Sequence, residues 1–156
     1  MLRKLGFAIG IIWISAGSLH ADDALLEQFY GNGVHDYYQG DYAGAQAALT
    51  AAIDGGTNDP RAYYFRGLTY LQLGRISEAE ADFKTGAERE VGDSSGVYPV
   101  NRSLERIQGR SRQFLEQYRA VVHAAAVQRK EAERRARYEQ RAAAEQDVLR
   151  RVQPTE

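Results

Sequence analysis

Few residues of this 156-residue chain have the type and spacing that catalysis or metal binding requires. The chain has no cysteine, which excludes disulfide bonds, thiolate metal sites and a cysteine nucleophile. Outside the N-terminal apolar segment its histidines are His35 and His123, which lie in unrelated segments. A protein metal site needs three or four converging ligands. We therefore expect neither a metal site nor a bound cofactor.

The other residues whose types could take part in catalysis or ligand binding also have structural explanations. Glu78, Glu80 and Asp82 fall near the predicted start of a helix, where negative side chains stabilise the positive helix end. The glycines at 31–33 and 55–56 lack the Lys-Ser/Thr pair of a phosphate-binding loop. The Gly-x-Ser-x-Gly pattern of a serine hydrolase is absent from the sequence. The sequence thus predicts a protein that is not an enzyme.

Composition and charge indicate a folded chain with two oppositely charged parts. Hydrophobic residues make up 44% of the chain and charged residues 26%, which is too apolar for a wholly disordered protein. The net charge of −1 hides a division. Residues 22–93 contain 13 acidic and 5 basic residues, whereas residues 101–151 contain 13 basic and 7 acidic residues. The acidic and basic parts must therefore be considered separately as binding surfaces.

The N-terminus has the pattern of a secretory signal peptide. Two basic residues precede an apolar run from Leu5 to Ala16, and the small residue Ala21 precedes Asp22. The run is shorter than the roughly 20 apolar residues of a transmembrane helix. We predict a signal peptide over residues 1–21 and an exported protein, periplasmic or extracellular. An uncleaved signal anchor is the alternative.

The next stretch of sequence repeats with a period of 34 residues. The matching pairs are Phe29 with Tyr63, Gly33 with Gly67, Gly40 with Gly74, Ala45 with Ala79, and Leu49 with Phe83. On either side of Gly40 and Gly74, apolar residues recur three or four positions apart, which indicates helices. The sequence therefore predicts two helix–turn–helix units, at about 26–59 and 60–93, within a region spanning 22–93.

These units resemble tetratricopeptide repeats, whose unit is a 34-residue helix–turn–helix, and are similar to those of small secreted bacterial proteins. The residues that carry the resemblance are Phe29, Gly33, Gly40, Ala45, Leu49, Tyr63, Gly67, Tyr70, Gly74, Ala79 and Phe83. Two departures are Asp36, where a large residue is usual, and Arg66, where leucine is frequent. The resemblance implies an all-α fold, in which the small residues let paired helices approach closely.

The resemblance also implies a binding groove for a protein or peptide. In this family the first helix of each unit lines a concave surface that holds partners. The corresponding positions are Tyr30, Val34, Tyr37, Tyr38, Arg61, Tyr64, Leu68 and Gln72. Tyrosine is frequent among the residues that dominate binding energy. We therefore expect an interaction or scaffold module that binds a protein or peptide partner.

The residues after position 93 are predicted to form a cap and a charged tail. A repeat buries its apolar face against a neighbour, so about three stacked units or a cap are expected. We predict a degenerate third helical pair over 97–127, with a short helix at 99–108 and a longer helix from Ser111. The tail, residues 128–156, is predicted to be a solvated helix that frays beyond about residue 130.

The arginine-rich tail leaves two alternatives open. It suits docking on an anionic envelope surface, which makes the chain an adaptor, or self-association with the acidic repeats of a second copy. Interspersed acidic residues, sparse aromatic residues and the predicted export argue against nucleic acid. A coiled-coil register fails at Arg129 and Glu139, so a stable coiled coil is not expected.

Overall fold

The computed structural model describes residues 18–152, with side chains from Asp22 onward. Its helices are α1 (Ser18–Gln39), α2 (Tyr42–Asp54), α3 (Pro60–Gln72), α4 (Ile76–Gly92), α5 (Val100–Ser103) and α6 (Gly109–Val152). The described part contains no β-strand, which confirms the all-α fold class. None of the described helices has the length and apolar character needed to cross a membrane. Most of the predicted signal peptide lies outside the described residues.

Glycines end the first helix of each repeat. Gly40 and Gly74 have φ values of +81° and +73°, a backbone conformation that favours glycine after a helix. The next residue in each repeat, Asp41 and Arg75, returns a backbone N–H to the carbonyl five residues earlier, at 3.0 and 2.8 Å. These hydrogen bonds satisfy carbonyl groups at the helix end. The two turns are therefore built in the same way.

Close helix packing explains two other matched glycines of the repeat. A Cβ atom on Gly33 would lie 2.5 Å from Leu49 Cγ, and one on Gly67 would lie 2.6 Å from Phe83 Cε1. Leu49 and Phe83 are fully buried. The 34-residue period thus records the same interhelical contact made twice, between α1 and α2 and between α3 and α4.

An ion pair joins the helices of the second repeat at one of the positions that departs from the family pattern. Arg66 on α3 donates two hydrogen bonds to the carboxylate of Asp82 on α4, at 2.7 and 2.8 Å. Both side chains are largely buried, with 15% and 8% of their surface exposed. Hydrogen bonding to Asp82 raises the pKa of Arg66. Arg66 therefore needs Asp82 as its partner.

The cap differs from its prediction, because α5 is a single turn and not a helix over 99–108. Residues 104–106 form a turn, and Gly109, the first residue of α6, adopts a φ of +67°. The guanidinium of Arg112 donates to the carbonyl of Leu104 at 2.7 Å, which replaces a hydrogen bond that a longer helix would have made. Leu104 and Ile107 are buried in the core. Packing of these two side chains therefore prevails over helix extension.

The helix α6 runs unbroken to Val152, across the boundary predicted between cap and tail. Its 44 residues span about 66 Å. Between Gln128 and Val152 the sequence has no glycine or proline and is rich in alanine, arginine, glutamate and glutamine, which favour helix. The helix therefore continues to Val152, beyond the position near residue 130 where fraying was expected.

Only the first part of α6 packs against the repeats. Leu115 is fully buried, and the rings of Phe114 and Tyr118 lie 6.1 and 6.3 Å from the ring of Phe83 on α4. Nearly every residue from Val127 to Val152 is exposed. We call residues 128–152 the arm. The arm is therefore solvated, as predicted for the tail.

Candidate partner-binding surface

The eight residues predicted to line a groove have very different accessibility. Tyr64 and Leu68 are fully buried, and Tyr30 is 9% exposed. Arg61 is mostly buried, whereas Gln72 is exposed. The remaining three, Val34, Tyr37 and Tyr38, are half-buried. The predicted groove is therefore not one continuous open surface.

The prediction that Tyr64 and Leu68 line a partner surface is wrong, because both side chains are fully buried. Tyr64 points toward α4, and its hydroxyl donates to Glu90 Oε2 at 2.7 Å. Burial, together with the hydrogen bond to Glu90, raises the pKa of Tyr64. Leu68 belongs to the same core cluster as Leu104 and Ile107. Both side chains therefore hold the fold together.

The chain itself covers part of the surface shared by α1 and α3. Residues 98–107, which we call the covering segment, bury Val100, Leu104 and Ile107 in the common core. Arg61 on α3 lies 5.5 Å from the ring centre of Tyr98. Arg106 lies 4.0 Å from the ring centre of Tyr38 on α1. The covering segment thus occupies positions that the family resemblance assigns to a partner.

Arg61 is also committed to intramolecular contacts. Its guanidinium lies 2.7 Å from Asp59 and 3.1 Å from Glu27, and it stacks on the ring of Tyr30 at 4.4 Å. Burial of Arg61 acts to lower its pKa, but the hydrogen bond and charge of Asp59 outweigh burial, so the pKa is raised. With two carboxylates bound, Arg61 does not serve as a free anchor for an acidic ligand. For Tyr30, whose neutral form is the protonated one, burial raises the pKa.

The part of the surface that stays open consists of Val34, Tyr37, Tyr38 and Gln72, which we call the open patch. The ring of Tyr37 meets those of Tyr38, Tyr42 and Phe65 at 5.4, 5.9 and 5.7 Å. Burial raises the pKa of Tyr37, while hydrogen bonding to Gln72 opposes that rise. The contact between Tyr37 and Phe65 therefore connects α1 with α3. The shielded hydroxyl of Tyr38 has no hydrogen-bond partner within the described residues.

A polar network missed by the sequence analysis fixes α6 and the covering segment to the repeats. Arg119 on α6 donates to Glu90 on α4 and, at 2.7 Å, to Asn101. Burial acts to raise the pKa of Glu90, but hydrogen bonds from Arg119 and Tyr64 outweigh it and lower the pKa. This stabilisation is therefore present above the ordinary carboxyl pKa and is lost as the pH falls through the lowered value.

The sequence contains one signal for this network. Arg119 interrupts an apolar stripe on α6 formed by Leu115, Tyr118 and Val122. A charged residue among core positions indicates a buried partner of opposite charge. Which carboxylate provides that partner depends on the packing of α6 on α4, so the sequence alone does not identify Glu90.

One surface crevice of the described part is partly occupied by the chain's own side chains. The crevice has a volume of about 410 Å³ and lies beside the loops at Asn58 and Asp93. Within the crevice Arg89 already donates to Asn58 at 2.7 Å. No group of three or more potential metal ligands converges in the part of the chain that the structure describes. The tyrosine-containing open patch is therefore the better candidate for recognition.

Comparison with known proteins agrees with the helical architecture. A family model described as tetratricopeptide repeat matches residues 30–92, which include the last ten residues of α1 and all of α2, α3 and α4. Comparisons with curated proteins and with solved structures gave no match. Repeats of this family generally mediate protein–protein interaction or scaffolding. Residues 30–92 of the chain therefore match the tetratricopeptide repeat family.

Proposed function

We propose that this protein acts as a scaffold that binds a protein or peptide partner through the open patch. The observation that carries the proposal is the cluster of half-exposed Tyr37 and Tyr38 beside exposed Gln72, next to a covering segment that closes the rest of the surface. Tyrosine provides a large contact area at low entropic cost. Because the covering segment limits the space, a short extended peptide segment fits this patch best.

A photo-crosslinking experiment tests the proposed site. A photoreactive amino acid at Gln72 is expected to capture the partner, whereas the same residue at exposed Glu88 on α4 is not. Replacing Tyr37 with alanine should weaken capture about thirtyfold, the effect of losing roughly 2 kcal/mol at an interface hot spot. Adduct yield at increasing concentrations of the purified partner measures the change.

The control for this experiment is a tyrosine outside the open patch. Tyr138 is 74% exposed and lies on the arm, so Tyr138→Ala should leave capture at Gln72 unchanged. Circular dichroism must show that Tyr37→Ala retains the helical content of the parent chain. Loss of capture in Tyr138→Ala with normal capture in Tyr37→Ala contradicts the proposed site.

We also propose that the protein is exported and that signal peptidase cleaves after Ala21. The support is the order of basic, apolar and small residues in the sequence. Cleavage there removes the first four residues of α1, and every residue of the core cluster lies beyond the cut. The exported protein should have the intact mass of a chain beginning at Asp22. Recovery of only the full-length chain from membranes contradicts cleavage and favours a signal anchor.

A further inference from the structure

The arm carries a row of positive charges that form no ion pair within the described part of the chain. Its stripe consists of Lys130, Arg134, Arg137 and Arg141, all exposed. At about 100° per residue these four positions fall within an arc of about 60° and extend over roughly 16 Å of helix. In the described part of the chain, the ion pairs of α6 involve Arg112, Arg119 and His123 and none of the stripe residues. We call these four residues the basic stripe.

The large apolar side chains of the arm lie on the same side as the basic stripe. These residues are Tyr138, Val148, Leu149 and Val152, which are 57–74% exposed. On a helical projection they occupy an arc of about 100° that begins at the basic stripe. Glu131 and Glu145 also lie on this side, so the four cations leave it with a positive net charge. The side therefore combines cations with apolar groups toward its C-terminal end.

We propose that the arm docks on an anionic phospholipid surface, with the helix lying along the bilayer plane. A bilayer interface offers phosphate groups to the basic stripe and an apolar layer beneath them to Tyr138 and Leu149. A straight row of cations matches a flat anionic surface better than it matches a concave pocket. This docking is independent of partner binding at the open patch.

The charge division of the chain sets the orientation of docking. Residues 22–93 contain 13 acidic and 5 basic residues, so an anionic surface repels the repeats. Residues 101–151 contain 13 basic and 7 acidic residues, and the same surface attracts them. The arm therefore meets the bilayer while the open patch on the repeats is held away from it and stays accessible.

Vesicle flotation tests the proposal on a chain beginning at Asp22, which retains every residue of the core cluster and lacks the N-terminal apolar run. The chain is expected to bind vesicles of phosphatidylcholine with phosphatidylglycerol and not vesicles of phosphatidylcholine alone. Replacing all four residues of the basic stripe with glutamine should lower the affinity at least about a hundredfold, since each cation contributes about fivefold. High salt should have a similar effect.

A second variant with the same change in net charge is the matched control. It replaces four arginines on the other sides of the arm with glutamine: Arg129, Arg135, Arg150 and Arg151. These positions lie about 70–170° around the helix from the centre of the basic stripe, so on a helix about 10 Å across their cations are on average several ångströms further from the phosphates and more strongly screened. This variant should therefore lose less than about tenfold in affinity. Equal losses in the two variants overturn the role of the stripe.

Further measurements separate a bilayer from other anionic occupants. Tyr138→Ser with Leu149→Ser should weaken vesicle binding while leaving binding to soluble polyglutamate unchanged. If the chain binds polyglutamate through the basic stripe but does not bind vesicles, the proposal is overturned and an acidic protein is the occupant.

Sedimentation velocity should give the same oligomeric state for the parent chain and the stripe variant. If the parent chain is a dimer that does not bind vesicles, and the stripe variant is a monomer, the proposal is overturned and a second copy of the chain is the occupant.

Discussion

A chain that ends after Glu90 is expected to lose its cooperative thermal unfolding transition. This truncation removes four buried apolar residues, Val100, Leu104, Ile107 and Leu115. Burial of each such side chain contributes about 1.5–3 kcal/mol, so the combined loss is comparable to the roughly 5–15 kcal/mol that stabilises a whole domain. The truncation also takes Arg119 away from the half-buried Glu90. Differential scanning calorimetry measures the transition.

A chain that ends after Gln128 is the matched control for this truncation. It keeps the covering segment and the packed part of α6, and it removes the arm from Arg129 onward, whose residues are almost all exposed. We expect its free energy of unfolding to stay within about 1 kcal/mol of that of the parent chain, as for most changes at exposed positions. Equal melting curves for the Glu90 truncation and the parent chain would falsify the capping role of α6.

Replacing Asp82 with alanine is expected to lower the free energy of unfolding by about 3 kcal/mol. The substitution leaves the guanidinium of Arg66 largely buried between α3 and α4 without its two hydrogen bonds to a carboxylate. Removing one partner of a buried ion pair typically costs about 3–5 kcal/mol, and the lower end fits because Arg66 keeps 15% of its side-chain surface exposed. Urea denaturation monitored by circular dichroism measures the loss.

The double variant Arg66→Leu with Asp82→Ala distinguishes a stranded charge from lost packing. Leucine is frequent at the position of Arg66 in the family that this chain resembles, and it removes the unpaired guanidinium. We expect the double variant to regain most of the stability lost in Asp82→Ala, because an apolar replacement of a buried pair is often nearly neutral. If the two substitutions are simply additive, the pair is not the source of the effect.

The covering segment changes how the family resemblance applies to this chain. In a groove left empty, Tyr30, Arg61 and Leu68 would be candidates for partner contact. Here Leu68 is fully buried, Tyr30 is nearly so, and Arg61 is bound to two carboxylates. The repeats therefore keep their architecture, while the surface that remains for a partner is reduced to the open patch at the C-terminal ends of α1 and α3.

The sequence by itself determined the helical elements of the two repeats, because the signals for them are local or periodic. Glycine at a turn, apolar residues three or four positions apart, and a 34-residue period each depend on neighbouring residues or on a repeated contact. Gly33 and Gly67 were predicted to permit close packing, and both lie against a buried side chain of the paired helix. Helix propensity likewise determines α6, the long C-terminal helix that the sequence predicted.

The tertiary structure alone decided which side chains a partner can reach. Tyr37 and Tyr64 occupy the predicted groove helices, yet Tyr37 is half-buried and Tyr64 is fully buried. Contacts between distant residues make the difference: Tyr64 donates to Glu90, and Arg106 packs on one face of the Tyr38 ring. Residues so far apart in the chain meet only when α6 docks and draws the covering segment across α1 and α3. Accessibility is a property of that packing, and no pattern within a single helix encodes it.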